Sequence, residues 1–250
     1  WLRPLTASYV LGGLFAVGAV CFAVGSLPAF SEAVSVETVG WTFFVGSLFF
    51  TAAAFGQYRE SITAPLGPEP DGPAPLGFRR AMAWAPHRLD WWIAVIQLTG
   101  TIAFNVSTWA ATRSDLSVVA ERQWIWAPDV VGSVCFLVSS WGAYVEAGAG
   151  AGEHGWRRRS VGGWISVLNL AGSIAFGAAA VGGRYLQTTG EIANIALVNL
   201  GTFTGAVCFL VGAALLPVES AWETAPGSTA APSRPRGRSP ARVSGVEASP

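Results

Sequence analysis

The chain has 250 residues, 52% of them hydrophobic and 12% charged, with a formal net charge of zero and a mean hydropathy of +0.45. Charged residues are about half as frequent as in an ordinary soluble domain, and they are not spread so that each helix keeps a wet face. This excludes a soluble all-α domain in favour of an all-α polytopic membrane protein, and the neutral balance gives no electrostatic basis for nucleic-acid binding.

Six segments free of Asp, Glu, Lys and Arg are candidates to cross about 30 Å of hydrocarbon: residues 8–30, 38–57, 92–112, 130–145, 161–181 and 192–216, the fourth needing Ala127 and Pro128 before it to reach full length. They divide the chain into a first helical hairpin (1–60), a Pro/Gly-rich loop (61–91), a second hairpin (92–146), an Arg-rich loop (147–160), a third hairpin (161–219) and a tail (220–250). Only Arg3 precedes the first segment and a second apolar run follows it, so it reads as a mature spanning helix and not as a cleaved leader. Pro65, Pro68, Pro70, Pro73 and Pro75 remove amide donors and make 62–78 an extended loop. The Ala, Pro, Ser and Gly after Glu223 read as a disordered tail.

Arginine sets the sidedness, since the chain has no lysine. Arg3, Arg59, Arg79, Arg80, Arg88, Arg157, Arg158 and Arg159 fall on one side, and only Arg113, Arg122 and Arg184 on the other. The positive-inside rule then places both termini in the cytoplasm of a cell inner (plasma) membrane. Trp41, Trp91, Trp92, Trp109, Trp124, Trp126 and Trp164 lie near span ends, where an indole buries its ring and presents its N–H to headgroups. Trp124 and Trp126, with Pro128, read as an anchor at the start of the fourth span.

Internal repeats carry more information. WIAVIQLTGTIAF at 92–104 matches WISVLNLAGSIAF at 164–176, VGSLFF at 45–50 resembles VGSVCF at 131–136, and VCFLV occurs at both 134–138 and 207–211. A hairpin of one odd and one even helix is therefore used repeatedly. Aligned, every span contains a glycine followed four residues later by phenylalanine: Gly18 and Phe22, Gly46 and Phe50, Gly100 and Phe104, Gly132 and Phe136, Gly172 and Phe176, Gly205 and Phe209. That spacing puts a notch beside a ring on one helical face. In lipid, where helices associate through close van der Waals contact, it reads as a packing code.

Cys21, Cys135 and Cys208 share one register, three residues after their glycines, and read as small apolar fillers. Glu60, Glu146 and Glu219 each follow their glycine by fourteen residues. On helices running in the same direction they would share the cytoplasmic boundary, a candidate rim for a divalent cation. The amides Gln97, Asn105, Asn169, Asn194 and Asn199 should turn inward; Gln97 and Asn169 are equivalent in the repeat and are expected to make a polar contact near mid-membrane, the best candidate for a solute path. No carboxylate is expected within the hydrocarbon, which argues against an ion-coupled pump.

Enzymatic readings lack parts. His87 and His154 lie in loops and cannot ligate a haem across the bilayer. There is no phosphate-binding or dinucleotide fingerprint, no histidine within a span to activate a serine, and no cofactor is expected. The strings VGSLFF, VGSVCFLV and NLGTFTGAVCFLVG at 199–212 resemble the membrane-helix motif of YrhK-like domains, with Asn199 and Gly205 fitting and Ala206 standing where Ser47 and Ser133 stand in other copies. The resemblance covers roughly 92–145 and 162–216; it implies a membrane location and a helical-hairpin architecture and transfers no chemistry. The leading expectation is a non-enzymatic integral membrane protein of structural or accessory role, with itself or another membrane protein as partner besides the lipid bilayer. The alternatives are a small-solute permease with a path near Gln97 and Asn169 and a cation sensor at the acidic rim.

Overall fold

The computed structural model describes residues 4–63, 85–149, 160–186 and 189–224. Its helices are α1 (Pro4–Gly25), α2 (Pro28–Ala33), α3 (Val36–Thr63), α4 (Leu89–Ala110), α5 (Val118–Glu121), α6 (Ala127–Ala149), α7 (Val161–Gly182) and α8 (Ile195–Thr224). A π-helical turn, Arg122–Trp126, makes α5 and α6 continuous. Six segments are long and apolar enough to cross a membrane, and the protein is a six-span polytopic helical bundle.

Local chemistry explains where these helices depart from the predicted spans. The first was expected to run to residue 30, but α1 stops at Gly25. Pro28 then opens α2 at its first helical position, where a missing N–H costs nothing. The fourth begins well before residue 130, because Glu121, Arg122 and Asp129 are carried inside the helix. Pro128 cannot donate to the Trp124 carbonyl and its ring crowds that turn. The helix widens ahead of it, with the Ala127 N–H reaching back to the Arg122 carbonyl, the longer reach of a π turn. Trp124 and Trp126 therefore lie within a helix, not at its start. The sixth span begins at Ile195, capped by Asn194, whose Oδ1 accepts from the Leu197 N–H at 2.9 Å. Residue 192 belongs instead to a bridge pairing Tyr185 with Ile192, closed by Gly190 in the left-handed region at φ 73°, which glycine adopts without strain.

The expected Pro/Gly-rich loop (61–91) and tail (220–250) lie outside the described residues, except that residues 61–63 finish α3, residues 85–91 lead into and open α4, and residues 220–224 finish α8. The WAPHR segment ends in a turn, Arg88 N–H to Ala85 carbonyl at 3.1 Å, and the Trp92 indole donates to the Pro86 carbonyl at 3.0 Å.

The six spans form a closed ring. α1 packs on α3, α3 on α4, α4 on α6, α6 on α7, α7 on α8, and α8 returns to α1. Consecutive spans run antiparallel, so the ring holds three hairpins: α1–α3, α4–α6 and α7–α8. Within each, the glycine of one helix lies under the phenylalanine of the other. A Cβ on Gly18 would meet the Phe50 ring at 2.8 Å, and one on Gly46 the Phe22 ring at 3.0 Å. Gly100 faces Phe136 at 2.9 Å and Gly132 faces Phe104 at 2.9 Å. Gly172 faces Phe209 at 3.2 Å, and Gly205 lies against Phe176. Because both notch and ring recur on each strand of an antiparallel pair, one sequence pattern closes all three hairpins. The cysteines join the same contacts: the Cβ atoms of Cys21, Cys135 and Cys208 cover Gly46, Gly100 and Gly172. They belong to three different hairpins and are free thiols.

The residue after each glycine faces the neighbouring hairpin. At the α3/α4 seam these are Ser47 and Thr101, at α6/α7 Ser133 and Ser173, and at α8/α1 Ala206 and Ala19, all at most 3% exposed. Two seams are hydroxyl-lined. Ser47 Oγ and Thr108 Oγ1 are 2.9 Å apart, Ser140 and Ser173 Oγ are 2.8 Å apart, and Ser133 Oγ donates to the Phe176 carbonyl at 3.5 Å. The third seam is apolar, with Phe15, Ala19, Ala206 and Ala213 in the core. There Pro217, inside α8, cannot donate to the Ala213 carbonyl, and that oxygen lies 2.8 Å from where a Cβ on Gly12 would be.

Candidate functional site

Antiparallel pairing decides where the six repeated phenylalanines go. Phe50, Phe136 and Phe209, on the even spans, form the layer nearer the end where α1 starts and α8 finishes. Their centroids form a triangle with sides of 6.3, 6.0 and 5.7 Å. Phe22, Phe104 and Phe176, on the odd spans, form a second layer toward the far end; Phe176 lies 5.8 Å from Phe22 and 6.1 Å from Phe104. The layers interlock through edge-on pairs within each hairpin, at 5.5, 5.2 and 5.3 Å. Such contacts are worth about 0.5–1.5 kcal/mol each beyond burial, so the two layers are a dense apolar plug across the axis.

A cavity lies on each side of that plug. The termini-side cavity, about 60 Å³, is floored by Phe50, Phe136 and Phe209 and walled by Gln57, Gln97, Ser140 and Asn169. It has room for about four water molecules, at roughly 15 Å³ of this measure each. Gln97 and Asn169, expected to touch, do not pair. Gln97 Nε2 donates to Gln57 Oε1 at 2.9 Å, because α4 packs on α3 while α7 lies elsewhere in the ring. Both amides nevertheless open into the same space. The Asn169 amide makes no hydrogen bond among the described residues; its Oδ1 lies over Gly212, 3.0 Å from where a Cβ would be. Gln57, the last residue of the predicted second span, was not among the inward amides expected from the sequence. Asn105 instead serves the α3/α4 seam, donating to Thr51 Oγ1 at 2.9 Å.

The far-end cavity is larger, about 200 Å³, and mostly aromatic and aliphatic. Its floor is Phe22, Phe104 and Phe176, and Trp126, Asp129 and Tyr185 also line it. Asp129 overturns the expectation that the spans hold no carboxylate, since it lies within a membrane-crossing segment. The Trp126 indole N–H is held by the Ala180 carbonyl at 2.9 Å, which fixes the ring in the wall. Burial, helped by nearby Glu121, pushes the Tyr185 phenol up to about 12, so it stays a neutral hydroxyl.

The acidic rim does not assemble. Glu146 lies near Arg88 and Asp90, which pair with each other across the start of α4, an arrangement that raises the Arg88 guanidinium further. The Glu219 carboxylate lies instead over Gly162 of α7. Glu60 is exposed at the end of α3. Among the described residues no group of three His, Cys, Asp or Glu could hold a metal ion. His87 is exposed in the turn before α4, and His154 lies outside the described residues.

Comparison with known protein families, with curated proteins and with solved structures finds no match.

Proposed function

We propose that the ring is a passage for a small polar solute, with the termini-side cavity as its binding chamber and the phenylalanine layers as its barrier. The observation that carries this is the meeting of Gln57, Gln97, Ser140 and Asn169 in one cavity floored by the phenylalanine layer. Amides present a donor and an acceptor each, and an amide without a protein partner in a low-dielectric setting gains from a hydrogen-bonding guest. Pseudo-repeats around a midplane site are a recurrent transporter design. With the plug closed, the chamber is separated from the far end, so passage requires the hairpins to shift against one another along their seams.

In the same reading the chain is non-catalytic, its termini face the cytoplasm of a plasma membrane, as the arginine distribution supports, and it is a relative of YrhK-like domains, a reading supported by the resemblance of its strings. The test is solute flux. Full-length protein in vesicles, given an osmotic step of urea or glycerol, should re-swell several-fold faster than protein-free vesicles, and Asn169→Leu should remove most of the difference. Flux equal to that of protein-free vesicles for both solutes would return the chain to a structural role. Orientation is checked separately by labelling a cysteine placed in the tail; labelling from outside intact cells would reverse it.

A further inference from the structure

The far-end cavity sets one carboxylate against a wall of rings. Asp129 lines it beside Trp126, one turn earlier on the same helix, with Tyr185 from the α7–α8 connection, Phe43 from the neighbouring α1–α3 hairpin and Phe104 from α4 of its own hairpin. Among the described residues Asp129 makes no hydrogen bond and no ion pair, and no Arg, Lys or His among them lines the cavity. A carboxylate facing an apolar space without a partner is strongly disfavoured as the free ion, and a bound cation removes that penalty.

The rest of the wall decides which cation. A divalent metal wants six or more oxygen ligands, several of them charged, and Asp129 is the one carboxylate among the described residues of the wall. Of its hydroxyls, Thr108 is engaged with Ser47 and the Phe104 carbonyl and Ser133 with the Phe176 carbonyl, which leaves Ser107, Thr202 and Tyr185, too few with one carboxylate for such a shell. Aromatic faces, by contrast, attract an ammonium group whose methyl or methylene skin they can cover. The volume of about 200 Å³ exceeds the roughly 150 Å³ of an engineered cavity that holds benzene, so a cation of that bulk fits. The π turn matters to the geometry: it carries Ile125 and Trp126 into the same wall as Asp129, and π turns recur where helices build sites.

We propose that the far-end cavity is a binding site for a small organic monocation, an alkylammonium, with Asp129 as its counter-ion and the surrounding rings as its cage. The site lies across the plug from the amide chamber and does not depend on solute crossing between them.

The experiment is calorimetric titration of the full chain in maltoside micelles, which contain no amine, with tetramethylammonium chloride and with its neutral near-isostere tert-butanol. The cation should bind at least tenfold more tightly than the alcohol to the unaltered protein, and Asp129→Asn should weaken cation binding at least tenfold. Equal affinities for the two probes in the unaltered protein overturn the proposal whatever the variant does, and so does undiminished cation binding by a folded Asp129→Asn. Displacement of tetramethylammonium by a short-chain phosphatidylcholine assigns the ammonium to a lipid headgroup; lack of displacement assigns it to a free solute, and both retain the chemistry. Cation binding without urea or glycerol flux leaves this site standing and removes the passage; flux without cation preference does the reverse.

Discussion

A methyl group on Gly46 would meet the Cys21 Cβ at 2.7 Å and the Gly18 carbonyl at 3.1 Å, whereas one on Gly13 would meet nothing within 4 Å. The first pair of atoms belongs to the facing helix and can yield only if α1 and α3 separate. Gly46→Ala is therefore expected to destabilise by about 1–3 kcal/mol, the usual cost of overpacking. Gly13→Ala should be neutral or stabilise by up to about 1 kcal/mol through helix propensity. Thermal unfolding of both in micelles checks this, and equal shifts would mean that the hairpin notch is not a tight contact. The Gly–Phe pairs were readable because their spacing is constant and helical geometry converts four residues into one face. Asp129 was not, because a charge next to an apolar run looks like the end of the run; nothing local says that a π turn ahead of Pro128 will accommodate it and let the helix continue. Gln57 escaped for a similar reason, standing at an expected boundary while α3 runs six residues further.

At the scale of helices, the seams between hairpins differ in kind, and the difference follows from one position per span. Serine or threonine after the glycine gives hydroxyl contacts at α3/α4 and α6/α7, and alanine gives the dry α8/α1 contact. The departure of Ala206 from the Ser47 and Ser133 pattern was visible in the sequence. Its meaning was not, because it depends on Ala206 meeting Ala19 across a seam between the two ends of the chain. A double-mutant cycle on Ser140→Ala and Ser173→Ala should give a coupling of about 0.6 kcal/mol, the average for hydrogen bonds between membrane helices, read from unfolding in micelles. A coupling of zero would make that seam a matter of shape alone. Six helices and their order were legible from apolar length, but their closure into a ring was not, since the contact of α8 with α1 joins segments with no shared motif beyond the common repeat.

For the molecule as a whole, the plug and the two cavities arise from one operation: antiparallel pairing sends the same residue of the repeat to opposite ends of the axis in alternate spans. The chambers then differ because the flanking residues differ, amides on one side and aromatics with Asp129 on the other. If the cavities are two ends of one path, thinning the plug should join them. Phe136 is the apt choice, 3% exposed and in ring contact with Phe50, Phe104 and Phe209. Truncating it to alanine is expected to cost about 3–5 kcal/mol and, in the molecules that remain folded, to raise urea and glycerol flux above that of the unaltered protein. Phe136→Leu keeps most of the side-chain volume and should change both quantities less. Phe55→Ala, at a lipid-facing ring 45% exposed, should leave flux unchanged. A Phe136→Ala protein that loses stability while its flux stays at the unaltered level would show that the phenylalanines only hold the hairpins together and that the two cavities are separate sites.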